Sequence, residues 1–459
     1  MADRPTETGV ADLPYNVMAM PTGPSCNLEC EYCYYLEKSE LYPERAEFAM
    51  SENTLEEFIR QYIESQPTQR VTFAWQGGEP TLRGLDFYRK VVRLQEKYAP
   101  PDKQIMNSIQ TNGTRLNEEW CKFFKENEFL VGISIDGPKE LHNKYRRTRS
   151  GHGTFEEVID GLSLLKKHGI KYNVLCVVNN YNSKYPLRVY NFLKNKNVNW
   201  VQFIPLIEEF DKKEENTSTS RSIDPISDID HENKGELKRC DYRWVNEMVN
   251  YPDNNDTEYK ELIKLARKAP VSERSVDPEQ YGIFMTEIFD EWVRNDVGEI
   301  SVRLFDQSLE VAIQGNPSYC IFKETCGEQV AMEHNGDIYS CDHFVNKGFK
   351  LGNIHDENIV TMIESNEQQQ FGEYKREGLP KLCENCNVRN FCNGGCPKNR
   401  CAKTTSGDFG LNYLCASYRY FFNYIQPYLS LLRKQYNKNK PLTNVMKQIK
   451  SLDNHYSIQ

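Results

Sequence analysis

From Val71 to Pro205 the chain repeats one pattern: a short apolar run, a polar loop, then residues whose apolar members recur at helical spacing. Val71–Trp75, Ile105–Ile109, Phe129–Ile135, Tyr172–Val178 and Val198–Pro205 read as strands. Between them, Leu85, Tyr88, Val91, Val92 and Leu94 mark one helix, and Trp120, Phe123 and Phe124 mark a second. Phe155–His168 and Pro186–Asn195 read as two more. Ahead of the repeat, Ser51 can cap a helix on which Leu55, Phe58, Ile59 and Tyr62 share a face. Strand, loop and helix in this order predict an α/β fold around a parallel sheet. The glycine-bearing loops Gln76-Gly77-Gly78-Glu79-Pro80, Gln110-Thr111-Asn112-Gly113-Thr114 and Asp136-Gly137-Pro138 all follow strands. That is the rim on which parallel α/β sheets bind ligands.

Before the first repeat, Pro24-Ser25-Cys26-Asn27-Leu28-Glu29-Cys30-Glu31-Tyr32-Cys33-Tyr34-Tyr35 places three cysteines at C-x3-C-x2-C, close enough for one loop to turn all three sulfurs inward. A structural zinc takes four closed ligands, and an iron–sulfur cube takes four thiolates. Three leave one corner of a [4Fe–4S] cluster open to something that is not protein; the bland alternative is three incidental or zinc-binding thiols. The chain holds 15 cysteines in 459 residues, long enough for two or three domains. Met1–Met20 has no apolar signal core, and no uninterrupted apolar run is long enough to cross a bilayer. A soluble, cytoplasmic protein with no membrane partner is expected, and its thiols are metal ligands sooner than disulfides. The net charge of -9 argues against nucleic acid as a partner.

Further cysteines stand at Cys320-x5-Cys326-x14-Cys341, then Cys383-x2-Cys386-x5-Cys392-x3-Cys396, then Cys415. On spacing alone, protein-ligated [4Fe–4S] clusters and structural zincs are both open. Cys121 and Cys176 lie in apolar stretches and read as buried core thiols. Met1–Val17 reads as a loose lead-in. Glu208–Lys238 has the composition of a solvated or disordered insertion, with Cys240 beyond it beside Trp244. Ile283–Val293 reads as a helix bridging into the cysteine-rich part.

The first loop, with an aromatic residue just before its last cysteine, resembles the signature loop of the radical S-adenosylmethionine (SAM) enzymes. The resemblance implies a partial (β/α)6 TIM-like barrel and a [4Fe–4S] cluster on Cys26, Cys30 and Cys33. It also implies SAM chelating the open iron and its one-electron cleavage to a 5′-deoxyadenosyl radical. Gly77-Gly78-Glu79 is similar to the element whose backbone and carboxylate meet the SAM amino group, which makes Gly78 a cofactor-binding residue. By the same resemblance Ser134 and Arg146 bind the SAM carboxylate and ribose. Tyr32 touches the adenine, and Ile207 contacts it through its backbone. Without the family, Arg146 reads as a surface cation.

The later cysteines resemble the SPASM iron–sulfur domain. Carried over, Cys320, Cys326, Cys341 and Cys396 hold one auxiliary cluster, and Cys383, Cys386, Cys392 and Cys415 the other, three [4Fe–4S] clusters in all. Cys401 leaves the choice between itself and Cys396 open. The implied organisation is a radical SAM core over Met1–Ile207, a polar insertion over Glu208–Pro270 and a bridging segment over Val271–Ser318. A SPASM domain over Tyr319–Ile425 and a helical tail over Gln426–Gln459 follow.

Glu333-His334-Asn335-Gly336-Asp337-Ile338-Tyr339-Ser340-Cys341-Asp342-His343-Phe344-Val345, together with the glycine loops, resembles the anaerobic sulfatase-maturating enzymes over roughly Met20–Ile207 and Asp277–Ile425. The family oxidises a cysteine or serine of a sulfatase to Cα-formylglycine without oxygen. This implies a polypeptide substrate with a C/S-x-P-x-R segment and an electron donor such as flavodoxin or ferredoxin. The radical takes a hydrogen atom from Cβ of the target, a base takes the proton from its thiol or hydroxyl, and an electron leaves. The base is implied to be Asp342, whose pKa an adjacent anionic cluster should raise; Asp306 is the competing carboxylate. Two other functions are weighed. One is a SPASM peptide maturase forming a thioether or carbon crosslink, against which the cluster loop at Cys26 leaves no room for a preceding peptide-recognition domain. The other is a non-catalytic iron–sulfur sensor, against which the SAM-contacting loops argue.

Overall fold

A computed structural model describes residues 9–42, 48–210, 244 and 256–457. Of the polar tract Glu208–Lys238 only 208–210 are among them, and Cys240 lies outside. The chain divides into two compact units: residues 1–135, 142–175 and 324–377 form the first, and 136–141, 176–323 and 378–459 the second.

The first unit is a parallel sheet with helices between successive strands. Asn16–Ala19, Arg70–Trp75, Gln104–Thr111, Leu130–Ser134 and Tyr172–Val178 pair in chain order, each parallel to the next. The crossovers run through helices Glu52–Ser65, Gly84–Tyr98, Glu118–Glu126 and Phe155–Lys167. Ser51 accepts a hydrogen bond from the Thr54 N–H, the cap its sequence promised. Behind that cap, Leu55, Phe58, Ile59 and Tyr62 are fully buried. Phe58, Phe73 and Trp75 form a continuous aromatic layer between helix and sheet, with Phe73 stacked on Trp75 at 5.9 Å. Trp75 donates its indole N–H to Asn107, whose amide is held in turn by Gln95, so this buried polar cluster is satisfied.

Two features depart from the local reading. Asn16–Ala19, assigned in part to a loose lead-in, is an inner strand of the sheet. It pairs with Arg70–Trp75 on one side and with Gln329–Met332 on the other. The hairpin Gln329–Met332 and Asp337–Tyr339, with Lys350–Asn353 beyond it, extends this sheet from the cysteine-rich part of the sequence.

In the second unit, Trp200–Pro205 lies parallel to Ser301–Val302. Its core is helical: Gln280–Asn295 packs on Cys415–Asn437 and on Asn444–Ser457. Gly282 makes that approach possible, since a Cβ there would sit 3.1 Å from the Ser417 Cα. Phe289, Trp292, Phe305, Phe421 and Tyr428 interlock at this seam. Arg294 ties the three helices together, donating to Asp290, Asp453 and Tyr428. Cys121 and Cys176 are fully buried, as their apolar surroundings imply.

Candidate active site

In the first unit, the loops that follow Arg70–Trp75, Gln104–Thr111 and Leu130–Ser134 all bond to the segment Gly23–Glu31. The stretch Gly77-Gly78-Glu79 is bonded to the start of that segment: Gly78 donates its N–H to Gly23 O at 2.8 Å, and Glu79 donates to Ser25 O at 2.9 Å. Gly78 must be glycine, because a Cβ would stand 2.0 Å from the Ser25 carbonyl oxygen. The Glu79 carboxylate turns inward. Oε1 accepts from Thr81 N–H, Thr81 Oγ1 and Thr111 Oγ1, and Oε2 from Asn112 N–H at 2.7 Å, with no exposed surface. Burial pushes this carboxyl above its ordinary value while its donors pull it back. The Glu79 carboxylate thus joins the loop after Arg70–Trp75 to the loop after Gln104–Thr111.

Asn112 reaches the cysteines directly, donating to Asn27 Oδ1 at 2.9 Å and towards Cys26 Sγ at 3.7 Å. Asn27 in turn donates to Thr114 Oγ1. The other flank is braced by 145–149. Glu29 N–H donates to Arg147 O, Glu31 N–H to Tyr145 O, and Arg149 to Cys26 O at 2.9 Å. The Tyr32 ring is pinned edge-on to Tyr145, with the Arg146 guanidinium 5.6 Å from its centroid. Arg146 is 8% exposed, so it is no surface cation. Its charge eases the Cys33 thiol down against burial, which pushes it up. Ser134 ends its strand and accepts from Gln110 Nε2 at 3.0 Å; Gly132 clears the path for that side chain, since a Cβ would meet Gln110 Oε1 at 2.0 Å.

Cys26, Cys30 and Cys33 act on one another electrostatically, and burial pushes the Cys26 thiol up to about 12. Three neighbouring thiols on one loop, all free of disulfides, with a backbone N–H of Leu28 on Cys26 Sγ at 3.4 Å, fit an iron–sulfur centre with one corner left over.

The hairpin 329–339 delivers Cys341, Asp342 and His343 to the same unit. Their thiol, carboxylate and imidazole ligand atoms lie within 4.8 Å of one another. Asp342 Oδ1 accepts from Cys341 Sγ at 3.2 Å. Its Oδ2 accepts from the Tyr34 hydroxyl at 3.3 Å and is 3.7 Å from His343 Nε2. Tyr34 directly follows Cys33, so one residue links the three-thiol loop to the carboxylate. Behind it Tyr35 donates to the fully buried Glu333, which also faces His334 at 3.3 Å. Cys326 belongs to this unit as well. Gln368 donates to the carbonyls of Gly327 and Ser340, drawing the Cys326 and Cys341 loops together.

Ile207, Cys320, Cys383, Cys386, Cys392, Cys396 and Cys415 belong to the second unit. Cys383 ends a single 3₁₀ turn, Cys392 ends the helix Arg389–Cys392, and Cys415 begins the long helix Cys415–Asn437. Asn393, Gly394 and Gly395 all have positive φ, which reverses the chain just after Cys392. Burial pushes Cys392 up to about 12 and Cys415 well above its ordinary value, and Cys383 and Cys386 push both further. Four mutually repelling thiols gathered in one place fit a fully protein-ligated cluster. Cys396 and Cys320 both act on Tyr319, whereas Cys401 faces Glu209 and is raised by burial to about 12. The two candidates thus have separate surroundings. Asp306 sits in the first turn of helix Arg303–Gln314 and accepts from Ser301, raised by burial. Sequence reasoning missed the roles of Asn112, Gln110 and Tyr34, though all three lie in stretches it had marked.

Residues 20–193 match the radical SAM superfamily, and residues 320–387 match the SPASM iron–sulfur cluster-binding domain. Fold and site therefore define the class: a radical SAM enzyme, α/β, with an iron–sulfur SPASM domain. The chain is 41% identical to the serine-type anaerobic sulfatase-maturating enzyme of Bacteroides thetaiotaomicron over 95% of both chains. It is 32% identical to the cysteine-type enzyme of Clostridium perfringens, over 91% of this chain and 97% of that one. The solved structure of native anSMEcpe with bound AdoMet superposes with a TM-score of 0.72 at 31% identity, covering 92% of this chain and 100% of that chain. The chain belongs to the anaerobic sulfatase-maturating enzymes. Among the described residues no helix is long and apolar enough to cross a membrane.

Proposed function

We propose that this enzyme converts a cysteine or serine of a sulfatase, within a C/S-x-P-x-R segment, to Cα-formylglycine without oxygen. The observation that carries the reading is Asp342, tied through Tyr34 to the three-thiol loop. A radical source and a base have to address the same target residue, and these two lie on one compact unit.

Cys26, Cys30 and Cys33 would hold the first [4Fe–4S] cluster, with SAM on the open corner. When bound, the two supply the 5′-deoxyadenosyl radical that takes a hydrogen atom from Cβ of the target. The chain's own residues do the rest. Gly78 offers its carbonyl to the methionyl amine, its N–H being already given to Gly23. With SAM bound, Ser134 and Arg146 would hold the carboxylate and ribose, and Tyr32 and Ile207 the adenine. Asp342 accepts the proton from the target thiol or hydroxyl; a serine then stands as the aldehyde, and a cysteine as a thioaldehyde that water hydrolyses to the aldehyde with release of hydrogen sulfide. The Tyr34 hydroxyl holds Oδ2 and so orients the carboxylate. Cys320, Cys326, Cys341 and Cys396, and Cys383, Cys386, Cys392 and Cys415, would hold two further clusters that carry the surplus electron away. A flavodoxin or ferredoxin would supply the reducing electron, in the cytoplasm.

The test is anaerobic incubation of reconstituted enzyme with SAM, reductant and both Cys- and Ser-type peptides, read by mass spectrometry. An aldehyde that forms a hydrazone, with 5′-deoxyadenosine as co-product, is the expected result. An intramolecular crosslink, or no 5′-deoxyadenosine, would sink the proposal.

A further inference from the structure

We propose that Gln110 is a positioning residue for SAM: its amide donates to the Ser134 hydroxyl and so keeps the one proton of that hydroxyl for an acceptor oxygen of the cofactor. The inference rests on the assignment of Ser134 to SAM made above. It goes beyond that assignment by giving a role to a residue that need not touch SAM at all.

The arrangement follows from the register of three neighbouring strands. Gln110 stands opposite Gly132, and Gly132 opposite Asn173, so the three positions form one row across the sheet. Successive side chains of a strand point to opposite faces, so Gly132 and Ser134 share a face, with Ser134 nearer the carboxyl end. To reach Ser134 from its place in the row, the Gln110 side chain has to lie across Gly132. It does so, since a Cβ at Gly132 would stand 2.0 Å from Gln110 Oε1 and 2.9 Å from its Cδ. Across that gap Nε2 donates to Ser134 Oγ at 3.0 Å. Any side chain at 132 would push the amide off this path.

A serine hydroxyl has one proton to give and two lone pairs with which to accept. Among the described residues Ser134 Oγ has no other hydrogen-bond partner than Gln110. The amide fills one lone pair, so the proton stays uncommitted and is turned away from the Gln110 side. Ser134 is half-buried at the end of its strand, which leaves that proton a way out of the sheet. A hydroxyl fixed in advance as a donor loses less freedom when a carboxylate or ribose oxygen arrives than one that turns at will. Gly132 thus acts at one remove: by being empty it lets Gln110 cross, and by crossing Gln110 sets the direction of the Ser134 proton.

The experiment measures the dissociation constant of SAM for the anaerobically reconstituted enzyme by equilibrium dialysis without reductant, so that turnover does not enter the reading. Ser134→Ala should weaken SAM about tenfold and Gln110→Met about fivefold. In a Ser134→Ala background Gln110→Met should change the constant by less than about twofold, because a residue that acts through another then has nothing to act on. Gly132→Ala, whose methyl displaces the amide without removing a polar group, should repeat both results, and it carries the comparison if Gln110→Met fails to fold. Equal weakening with and without Ser134 would overturn the positioning role and leave the function standing. So would unchanged binding in Gln110→Met, or tighter binding, the mark of a Ser134 hydroxyl that had been donating to Gln110. Full SAM affinity in Ser134→Ala alone would instead overturn the assignment beneath the proposal.

Discussion

Replacing Gly78 by alanine tests how the first loop is held. The added methyl would meet the Ser25 carbonyl oxygen at 2.0 Å, the Ser25 carbonyl carbon at 2.5 Å and Pro24 C at 2.8 Å, all backbone atoms that no rotamer change can move aside. Since Cβ atoms essentially never approach within 3.0 Å of such atoms, the Pro24-Ser25 segment must retreat by about 1 Å. The retreat strains the Gly78–Gly23 and Glu79–Ser25 hydrogen bonds, each worth about 1 kcal/mol. It also carries Cys26, the next residue, off its place. A reacting centre displaced by about 1 Å loses roughly 100-fold in rate. The assay is iron content and 5′-deoxyadenosine release after anaerobic reconstitution. Gly78→Ala should either lack the iron of the first cluster or release 5′-deoxyadenosine about 100-fold more slowly, while remaining folded by circular dichroism. Full iron with parental release would refute the steric argument.

Asp342→Asn should still cleave SAM but make little formylglycine, and Asp306→Asn, a carboxylate occupied with Ser301, should make it normally; the reverse pattern moves the base to Asp306. Cys396→Ala should lose iron on reconstitution whereas Cys401→Ala keeps it, and equal losses would reopen the choice between them. Glu79→Gln keeps the three bonds to Oε1 but sets an amide against the buried Asn112 N–H, costing about 1–3 kcal/mol. A denaturation midpoint equal to the parent's would show that the carboxylate does not join the two loops.

Local pattern was enough where an element is specified by its own residues. Tyr172–Val178 and Pro186–Asn195 begin and end where the sequence says, since alternation or helical spacing runs unbroken between turn residues. Ser51 was legible for the same reason. Asn16–Ala19 was not, because four residues beside Pro14 carry too little periodicity, and its partners lie at Arg70–Trp75 and Gln329–Met332. Nor could spacing show that Arg146 is buried, or that the Glu79 carboxylate faces Asn112 and Thr111. Those outcomes depend on contacts between loops far apart in the chain, which no window of ten or fifteen residues contains. The cysteines stood out by their spacing, yet the surroundings that part Cys396 from Cys401 belong to tertiary structure.

The bracing of the first loop bears on how the enzyme is made. Cys26–Cys33 leaves the ribosome early, but the strut from Gly78 and Glu79 follows some fifty residues later, and the clamp at Tyr145–Arg149 later still. The strand that flanks Asn16–Ala19 arrives only with Gln329. During translation the three thiols are therefore bare and unshaped. A cluster on these thiols would therefore wait for a chain extended past Met332, so that the first cysteines made are not the first to find their final surroundings.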